Sequence, residues 1–228
     1  MSDLRLLPAG ARGLLAEVDG SEEVLRLHAA LAADPLPGVV DLVPAATTVL
    51  LVLDPATATP AGTAAAVRAR WRAAGADTAR ATATTTGPTA TATATADHDE
   101  VVVPVTYDGA DLAEAAAAVD LDPAALVRVH TATAWVVAFC GFAPGFPYCV
   151  ALDGPARDWR VPRRHDPRPR VPAGAVGLAA GWTGVYPRES PGGWQLVGTT
   201  TAALWDVDRQ PPALLPPGTR VRFESVGP

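Results

Sequence analysis

The sequence predicts an α+β protein in two parts, a small α/β domain followed by a β-barrel domain. Two observations support this prediction. Residues 1–76 interleave strand-like apolar runs with two helical patterns, whereas residues 99–228 contain many short strand-like runs separated by Gly and Pro. Between them, residues 77–98 are mostly Ala and Thr and offer almost no large apolar side chains to bury, which predicts a mobile inter-domain linker.

The N-terminal domain is predicted to contain three strands and two helices. Apolar runs at residues 14–18, 38–44 and 47–53 predict strands, and the short loop between the last two predicts a hairpin. Ser21 is a suitable N-cap for a first helix, because apolar residues follow it at helical spacing. The Ala- and Arg-rich residues 63–74 predict the second helix.

The C-terminal domain is predicted to be a barrel capped by two short helices. The helices are expected at residues 111–119 and 122–130, the second with Asp122 as N-cap and Pro123 at its first position. Many short runs with regular turn residues fit a barrel rather than an open α/β sheet. The clearest strands are expected at residues 101–106, 136–139 and 221–223.

Composition excludes several classes of function. The net charge of −6 and the pI near 5.1 argue against a nucleic-acid partner. The apolar runs are far shorter than the ~18–20 residues that cross a bilayer, and the N-terminus lacks a signal-peptide pattern, so we expect a cytoplasmic protein. The chain has no Lys, which removes lysine nucleophiles and a Walker-type lysine. Cys140 and Cys149 lack the spacing of a zinc site and are expected to be free thiols, and we predict no metal site.

A rigid aromatic turn covers residues 141–148. Two Gly, two Pro and three aromatic residues fall within these eight positions. Phe142, Phe146 and Tyr148 could form a wall for a small planar ligand, or they could simply plug the edge of the barrel. Pro144 and Gly145 would fix the turn.

An Arg- and Pro-rich loop covers residues 160–174, called the Arg-Pro loop from here on. It holds five arginines and four prolines. Proline stiffens the backbone, so the guanidinium groups lose less freedom on binding, and the loop suits a carboxylate or phosphate. The alternative is a solvated connection or an interface loop. The candidate anion ligands are Arg163, Arg164, Arg168 and Arg170.

Two further segments carry hydroxyl groups and glycines. Thr183 and Tyr186 lie three residues apart near glycines that permit close backbone approach. In residues 190–193, Ser-Pro-Gly-Gly predicts a turn whose N–H groups could bind an anion, although a plain hairpin turn is the simpler interpretation. His130, at the end of the second predicted helix, could orient a substrate or move a proton, or could serve a structural role.

These segments, in this order, resemble one family. The motifs Gly141-Phe-Ala-Pro-Gly-Phe-Pro-Tyr148, Arg170-Val-Pro-Ala-Gly174, Thr183-Gly-Val-Tyr-Pro187 and Ser190-Pro-Gly-Gly-Trp-Gln-Leu196 are similar to the family of the 5-oxoprolinase B subunit. That family is also called allophanate hydrolase subunit 1 and includes a bacterial inhibitor of a sporulation sensor kinase. The resemblance is strong over residues 99–226 and weaker over residues 1–76. Trp182 departs from the usual Gln and Cys149 from the common Leu.

The resemblance implies a cyclophilin-like β-barrel behind a small α/β domain. It also implies two partners, the 5-oxoprolinase C subunit, which has a related barrel, and the A subunit as the third member. Together they would open the ring of 5-oxo-L-proline with ATP to give L-glutamate. The resemblance implies catalytic roles for His130, Arg163, Arg170 and Tyr186. It implies substrate contacts from Phe142, Pro144, Gly145, Phe146, Tyr148, Arg164, Arg168, Pro172, Thr183, Ser190, Gly192, Gly193 and Gln195.

Two alternatives from other functional classes stay open on the sequence alone. Fused relatives of the pair form the carboxyltransferase part of urea carboxylase, which handles biotin and urea, so this chain could be a carboxyltransferase half. The same fold could instead dock onto a histidine kinase through the Arg-Pro loop as an inhibitor, without a catalytic histidine.

Overall fold

A computed structural model gives the structure of residues 3–83 and 100–227. The chain falls into two units, Met1–Asp97 and His98–Pro228. Of the predicted linker at residues 77–98, the structure describes residues 77–83, which belong to the first unit. Residues 84–98 lie outside the described residues. Among the described residues, no helix has the length and apolar character that a membrane crossing requires.

The N-terminal unit is a four-stranded antiparallel sheet with two helices. The strand order is β1-β2-β4-β3. The strands are β1 (Arg5–Pro8), β2 (Gly13–Glu17), β3 (Val39–Pro44) and β4 (Thr48–Leu53), and the helices are α1 (Ser21–Ala33) and α2 (Pro60–Ala83). The predicted β3–β4 hairpin is confirmed. Alternate residues of β4 are buried, as period-two patterning requires. Their core partners include Leu27 and Leu31 of α1 and Val67 and Trp71 of α2.

Three N-terminal details differ from the sequence predictions. Strand β1 was not predicted, and it completes the sheet by pairing with β2. Helix α1 begins at Ser21 and its N-cap is Gly20, so Ser21 is not the capping residue. Helix α2 continues to Ala83, so the first residues of the predicted linker, 77–83, are helical. Alanine is the strongest helix former, and its propensity outweighs the lack of large apolar side chains there.

The C-terminal unit is built on a seven-stranded barrel-like sheet. The strand order is β12-β9-β10-β7-β6-β13-β5, antiparallel except for the parallel pair β13–β5. The strands are β5 (Val101–Val105), β6 (Trp135–Cys140), β7 (Pro147–Ala151), β9 (Ala175–Ala179), β10 (Trp182–Val185), β12 (Gln195–Thr199) and β13 (Arg220–Ser225). A separate two-stranded ribbon pairs β8 (Arg168–Val171) with β11 (Ser190–Gly192).

The barrel nearly closes between its first and last strands. The Thr106 N–H donates to the Thr199 carbonyl at 2.9 Å, and the Thr199 N–H donates to the Thr106 carbonyl at 2.8 Å. These bonds join the end of β5 to the end of β12, which reduces the exposed sheet edge. The predicted α+β fold class, a small domain followed by a barrel, is confirmed.

Three short helical segments accompany the barrel. They are α3 (Leu112–Ala117), α4 (Pro123–Ala132) and a 3₁₀ turn at Pro155–Asp158. The predicted cap of α4 is confirmed, because the Asp122 carboxylate accepts the Ala125 N–H at 2.7 Å. Both cysteines, Cys140 and Cys149, are free thiols. Burial raises the pKa of Cys140 to about 11, which does not favour a thiolate nucleophile.

The barrel strands separate two apolar clusters on opposite faces. The interior cluster takes residues from all seven strands and from both helices, for example Val176 and Leu178 of β9. The alternate residues of the same strand, Ala175 and Ala179, belong to a second cluster. That second cluster involves residues of β7, β8, β9, β10 and β12 and of the loops beside them, so it covers the outer face of one side of the barrel. This cluster, together with the rings of Phe139 and Phe142 that contact it, is called the outer aromatic face.

Candidate functional site

Seven aromatic rings form the outer aromatic face, with Phe146 at its centre. Phe146 lies edge-on to Tyr186 at 5.0 Å and to Trp194 at 5.3 Å between ring centroids, and tilted against Tyr148 at 5.1 Å. Phe139 stacks on Tyr148 at 4.3 Å. The remaining rings, Phe142 and Trp182, contact Phe146 and Tyr148 respectively. Such edge and stacked pairs fix ring positions more firmly than area burial alone, so the face is a rigid surface.

Phe142 is the exposed member of this face. Its side chain is 59% exposed and its backbone has a φ of +69°, a conformation unfavourable for a residue with a Cβ. The turn that imposes it is tightly bonded: the Phe146 N–H donates to the Ala143 carbonyl at 3.0 Å. Gly145 at the next corner has a φ of +76°, and a Cβ there would lie 3.1 Å from Leu204 O. The predicted turn therefore exists, and it holds one phenyl ring outward.

Tyr186, Gly192, Gly193 and Arg163 converge at one edge of the aromatic face. A Cβ on Gly192 would overlap the Tyr186 hydroxyl, so the glycine is needed for that hydroxyl to sit under β11. A Cβ on Gly193 would meet Nε and Nη2 of Arg163 at 3.7 Å. These four predicted site residues, distant in sequence, are thus neighbours in space.

Arg163 is an exposed cation at this edge, and in the described part of the chain it has no ion-pair partner. Burial raises the pKa of the Tyr148 and Tyr186 hydroxyls, and the charge of Arg163 opposes the rise at both. At Tyr186 a hydrogen bond from the Trp194 N–H opposes it as well. The Arg163 guanidinium lies near Gly193, close enough for its charge to act on both tyrosines, and an anion bound to it would lie beside the aromatic rings.

Arg164 and Arg168 face a different partner, the buried carboxylate of Asp111. Arg168 donates Nη1 to Oδ2 and Nη2 to Oδ1, each at 2.8 Å, and Arg164 donates Nη1 to Oδ1 at 2.8 Å. The Leu196 N–H adds a fourth bond to Oδ2 at 2.8 Å. Burial raises the pKa of Asp111, but the bonds from Arg168 and Leu196 and the two arginine charges outweigh it, so the pKa lies below its usual value.

Arg164 and Arg168 are predicted substrate contacts, and the structure shows a partner within the chain for both. Their guanidinium groups are already committed to a carboxylate of the chain itself. Sequence reasoning placed Asp111 only at the start of a helix, and missed its role because the pairing spans 53 and 57 residues. No local pattern signals such a pairing.

His130 and Thr183 lie inside the barrel and not on the outer aromatic face. Both side chains are 0% exposed. The Thr183 hydroxyl is 3.4 Å from the Gly177 carbonyl and 2.9 Å from His130 Nε2, while His130 Nδ1 is 2.7 Å from the Tyr107 hydroxyl. One assignment satisfies every group: Tyr107 donates to Nδ1, Nε2–H donates to Thr183, and Thr183 donates to the carbonyl.

The interior position argues for a structural role of His130. Burial lowers its pKa to about 3, so the ring is neutral at pH 7. The ring also stacks on Phe223 at 4.5 Å. Contact between substrate and either His130 or Thr183, as the sequence predicted, would require the barrel to open. Trp182, the neighbour of Thr183, points to the opposite face, as alternation along a strand demands.

The other predicted residues occupy separate positions. Ser190–Gly192 is a strand of the ribbon, so the predicted Ser-Pro-Gly-Gly turn is wrong. Arg170 is exposed and lies 3.7 Å from Glu189. Gln195 is buried and donates to Glu114 at 3.0 Å, while its Oε1 has no partner within the described chain. Pro144 and Pro172 are exposed, and the buried Ser190 donates to the Arg188 carbonyl at 3.4 Å.

The outer aromatic face with Arg163 can hold a small planar anion, with rings against its flat side and a guanidinium on its charge. Across the described ranges, no three His, Cys, Asp or Glu side chains group as metal ligands would. Two clefts lie elsewhere, one of about 170 Å³ in the N-terminal unit and one of about 240 Å³ beside Val101 and Pro211. Neither is lined by Arg163 or by a ring of the outer aromatic face.

Comparison with known proteins settles the family. The sequence profile described as carboxyltransferase domain, subdomain C and D, matches residues 4–215. The chain belongs to this family. It is 47% identical to the 5-oxoprolinase B subunit of Escherichia coli O157:H7 over 126 residues, which are 54% of this chain and 56% of that protein. It is 44% identical to the 5-oxoprolinase B subunit of Bacillus subtilis strain 168 over 129 residues, 55% of this chain and 52% of that one.

Two solved structures share the fold. A crystal structure of TTHA0988 superimposes with a TM-score of 0.70 at 35% identity, covering 96% of this chain and 40% of that one. Kluyveromyces lactis urea carboxylase does so with a TM-score of 0.66 at 19% identity, covering 98% of this chain and 22% of that one. The alignments span about half the length of the curated relatives.

Proposed function

We propose that the chain is a subunit of an ATP-dependent 5-oxoprolinase complex, which opens 5-oxo-L-proline to L-glutamate. The observation that carries the proposal is the 47% identity to a protein named as the B subunit of 5-oxoprolinase. In the reaction, water adds to the lactam carbonyl, the ring C–N bond breaks, and ATP hydrolysis drives the otherwise unfavourable opening. The proposed setting is the cytoplasm.

The outer aromatic face supplies the substrate site in this proposal. 5-Oxoproline is a nearly flat five-membered ring with one carboxylate. In the proposal, Phe142 and Tyr148 contact the ring and Arg163 binds the carboxylate; the support is that both rings contact Phe146 and that the charge of Arg163 acts on Tyr148. The Tyr186 ring is 1% exposed and its hydroxyl lies under β11, so Tyr186 supports this edge of the face from below.

The partners in the proposal are the C subunit, with a related barrel, and the A subunit of the same enzyme. Phe142 is large, apolar, exposed and held in a strained backbone conformation, which fits a ring that is covered when the complex assembles. The chain has no Lys. The chain therefore lacks a Walker-type lysine for ATP phosphates, and we assign ATP to the complex.

A second candidate is a carboxyltransferase that acts on a urea-type substrate. The family description, carboxyltransferase domain, favours it. It predicts dependence on biotin and a biotin carboxylase partner, whereas 5-oxoprolinase activity requires neither.

The test is co-expression of the chain with candidates for the two partner subunits, followed by an assay of ATP-dependent glutamate release from 5-oxoproline. We expect release that depends on this chain and that falls in Arg163→Ala. Arg128→Ala is the matched control, since Arg128 is an exposed arginine on α4, and it should leave the rate unchanged. An assembled complex that carboxylates urea with biotin, and releases no glutamate, would replace the proposal by the second candidate.

A further inference from the structure

Asp111 links the Arg-Pro loop to β12 of the barrel. Its carboxylate is buried, with a side chain 4% exposed, and it accepts three bonds from Arg164 and Arg168. We propose that Asp111 is a positioning residue, which holds the Arg-Pro loop so that Arg163 stands at the edge of the outer aromatic face and binds the substrate carboxylate. This inference rests on the proposed function.

The first step is that Asp111 itself has a fixed position. Its backbone N–H donates to the Leu196 carbonyl at 2.9 Å, and its carboxylate accepts the Leu196 N–H at 2.8 Å. It is thus bonded twice to β12, a strand of the barrel, and it directly precedes α3. The arginines bind to a carboxylate that cannot move independently of the sheet.

The second step is that the loop is held at Arg164, the residue next to Arg163, and again at Arg168. The Arg164 side chain binds Asp111 at 2.8 Å, and the Arg164 N–H donates to the Gly193 carbonyl at 2.8 Å. Arg168 forms a two-point bond to Asp111 and pairs with Gly192 in the ribbon. Because Arg163 is joined directly to Arg164, these contacts fix where its backbone starts. From there the Arg163 side chain reaches Gly193, beside which its guanidinium lies.

The third step is a division of charge within the loop. Arg164 and Arg168 share one buried carboxylate, and Arg170 pairs with Glu189 at the surface. Arg160 has no ion-pair partner among the described residues, but its Nη1 donates to the carbonyls of Arg157 at 3.2 Å and Trp159 at 2.7 Å. Arg163 also lacks an ion-pair partner in that part of the chain, and its guanidinium lies beside Gly193. A single guanidinium beside a flat aromatic wall suits a carboxylate, which it can bind at two points. The misplacement of such a group by about 1 Å costs on the order of 10²-fold in rate.

The experiment compares Asp111→Asn with Asp166→Asn, the same chemical change at an exposed position of the same loop, where the side chain is 92% exposed. Trypsin digestion of the native full-length chain, read by mass spectrometry, measures cleavage after Arg163 and Arg164. Steady-state kinetics of the assembled complex measure KM for 5-oxoproline and for ATP. Folding is checked by thermal melting, and Arg168→Lys, which keeps the charge but not the two-point bond, provides a milder second variant.

We expect Asp111→Asn to speed cleavage at these two bonds by at least about tenfold, because the loop detaches locally. KM for 5-oxoproline should rise on the order of 10²-fold while KM for ATP stays within about twofold. Arg168→Lys should show both effects more weakly, and Asp166→Asn neither.

The proposal is overturned if folded Asp111→Asn or Arg168→Lys is cleaved by trypsin at these bonds as slowly as the unmodified chain. It is also overturned if cleavage becomes faster while KM for 5-oxoproline stays unchanged. The protease measurement needs no substrate. A complex inactive on 5-oxoproline therefore counts against the proposed function alone, while the cleavage rates still decide whether Asp111 holds the loop.

Discussion

The two faces of the barrel wall each combine aromatic rings with polar groups, and they differ in whether those groups have partners within the chain. Inside, both ring nitrogens of His130 are bonded, to Tyr107 and Thr183, and its ring is stacked on Phe223. Outside, Arg163 stands beside the rings without an ion-pair partner among the described residues.

The difference separates stability from binding. A buried polar group whose bonds are all made within the fold stabilises one conformation and offers nothing to a ligand. A cation left without a carboxylate, beside a rigid aromatic surface, is available to bind one. The histidine, which chemistry alone favours as a catalytic residue, belongs to the first class, and the arginine belongs to the second.

The largest expected effect tests the interior face. His130→Ala removes a stacked ring and leaves the Tyr107 and Thr183 hydroxyls without their partner. We expect the free energy of unfolding, measured with urea, to fall by about 3 kcal/mol. His165→Ala is the matched control: its side chain is 97% exposed, so it should change stability by less than ~0.5 kcal/mol. Equal stability of the two variants would contradict the structural role of His130 inside the barrel.

A smaller effect sharpens the outer face. Gly192→Ala would bring a methyl group against the Tyr186 ring and hydroxyl, which cannot move away because the ring is 1% exposed. We expect a loss of about 1–3 kcal/mol in the free energy of unfolding. Gly193→Ala meets its nearest atoms at 3.7 Å and should be nearly neutral. If both substitutions are neutral, Tyr186 is not fixed beneath the ribbon as described.

The smallest effect concerns pH. The pKa of His130 is about 3 in the folded chain, below the ordinary value of 6.5 expected when unfolded. Below pH 6.5 the unfolded chain therefore takes up a proton that the folded chain excludes, and stability falls as pH decreases. The contribution approaches about 1.4 kcal/mol per pH unit. His130→Phe, which keeps a ring but cannot titrate, should lose this slope between pH 6.5 and 5. An identical slope in both proteins would contradict the buried, neutral state.

Much of the fold could be predicted because its signals are local. Alternating apolar residues gave the β3–β4 hairpin, and Asp122 with Pro123 gave the start of α4. The extent of α2 was missed, because a run of small residues was interpreted as too poor in apolar area to fold, whereas alanine favours a helix. Strand β1 carries too short a pattern to stand out, and it is defined by its pairing with β2.

The site was predicted only in part, for a related reason. Phe142 and Arg163 stand out because their segments are unusual in composition. The Asp111 cluster could not be found, since it joins residues more than 50 positions apart. The side of the barrel wall to which Thr183 points could have been inferred from the sequence. Thr183 adjoins Trp182 within a strand, so the two side chains must lie on opposite faces, and only one of them can contact a ligand outside the barrel.

The most direct test of the account is one pair of variants measured in two ways, Arg163→Ala and His130→Ala in the assembled complex. We predict that Arg163→Ala lowers kcat/KM for 5-oxoproline on the order of 10²-fold with unchanged stability. His130→Ala should lose stability, while the fraction that remains folded keeps kcat/KM within about threefold. The reverse pattern, with full activity in Arg163→Ala and loss of turnover in stably folded His130→Ala, would contradict the assignment of binding to the outer face and stability to the interior.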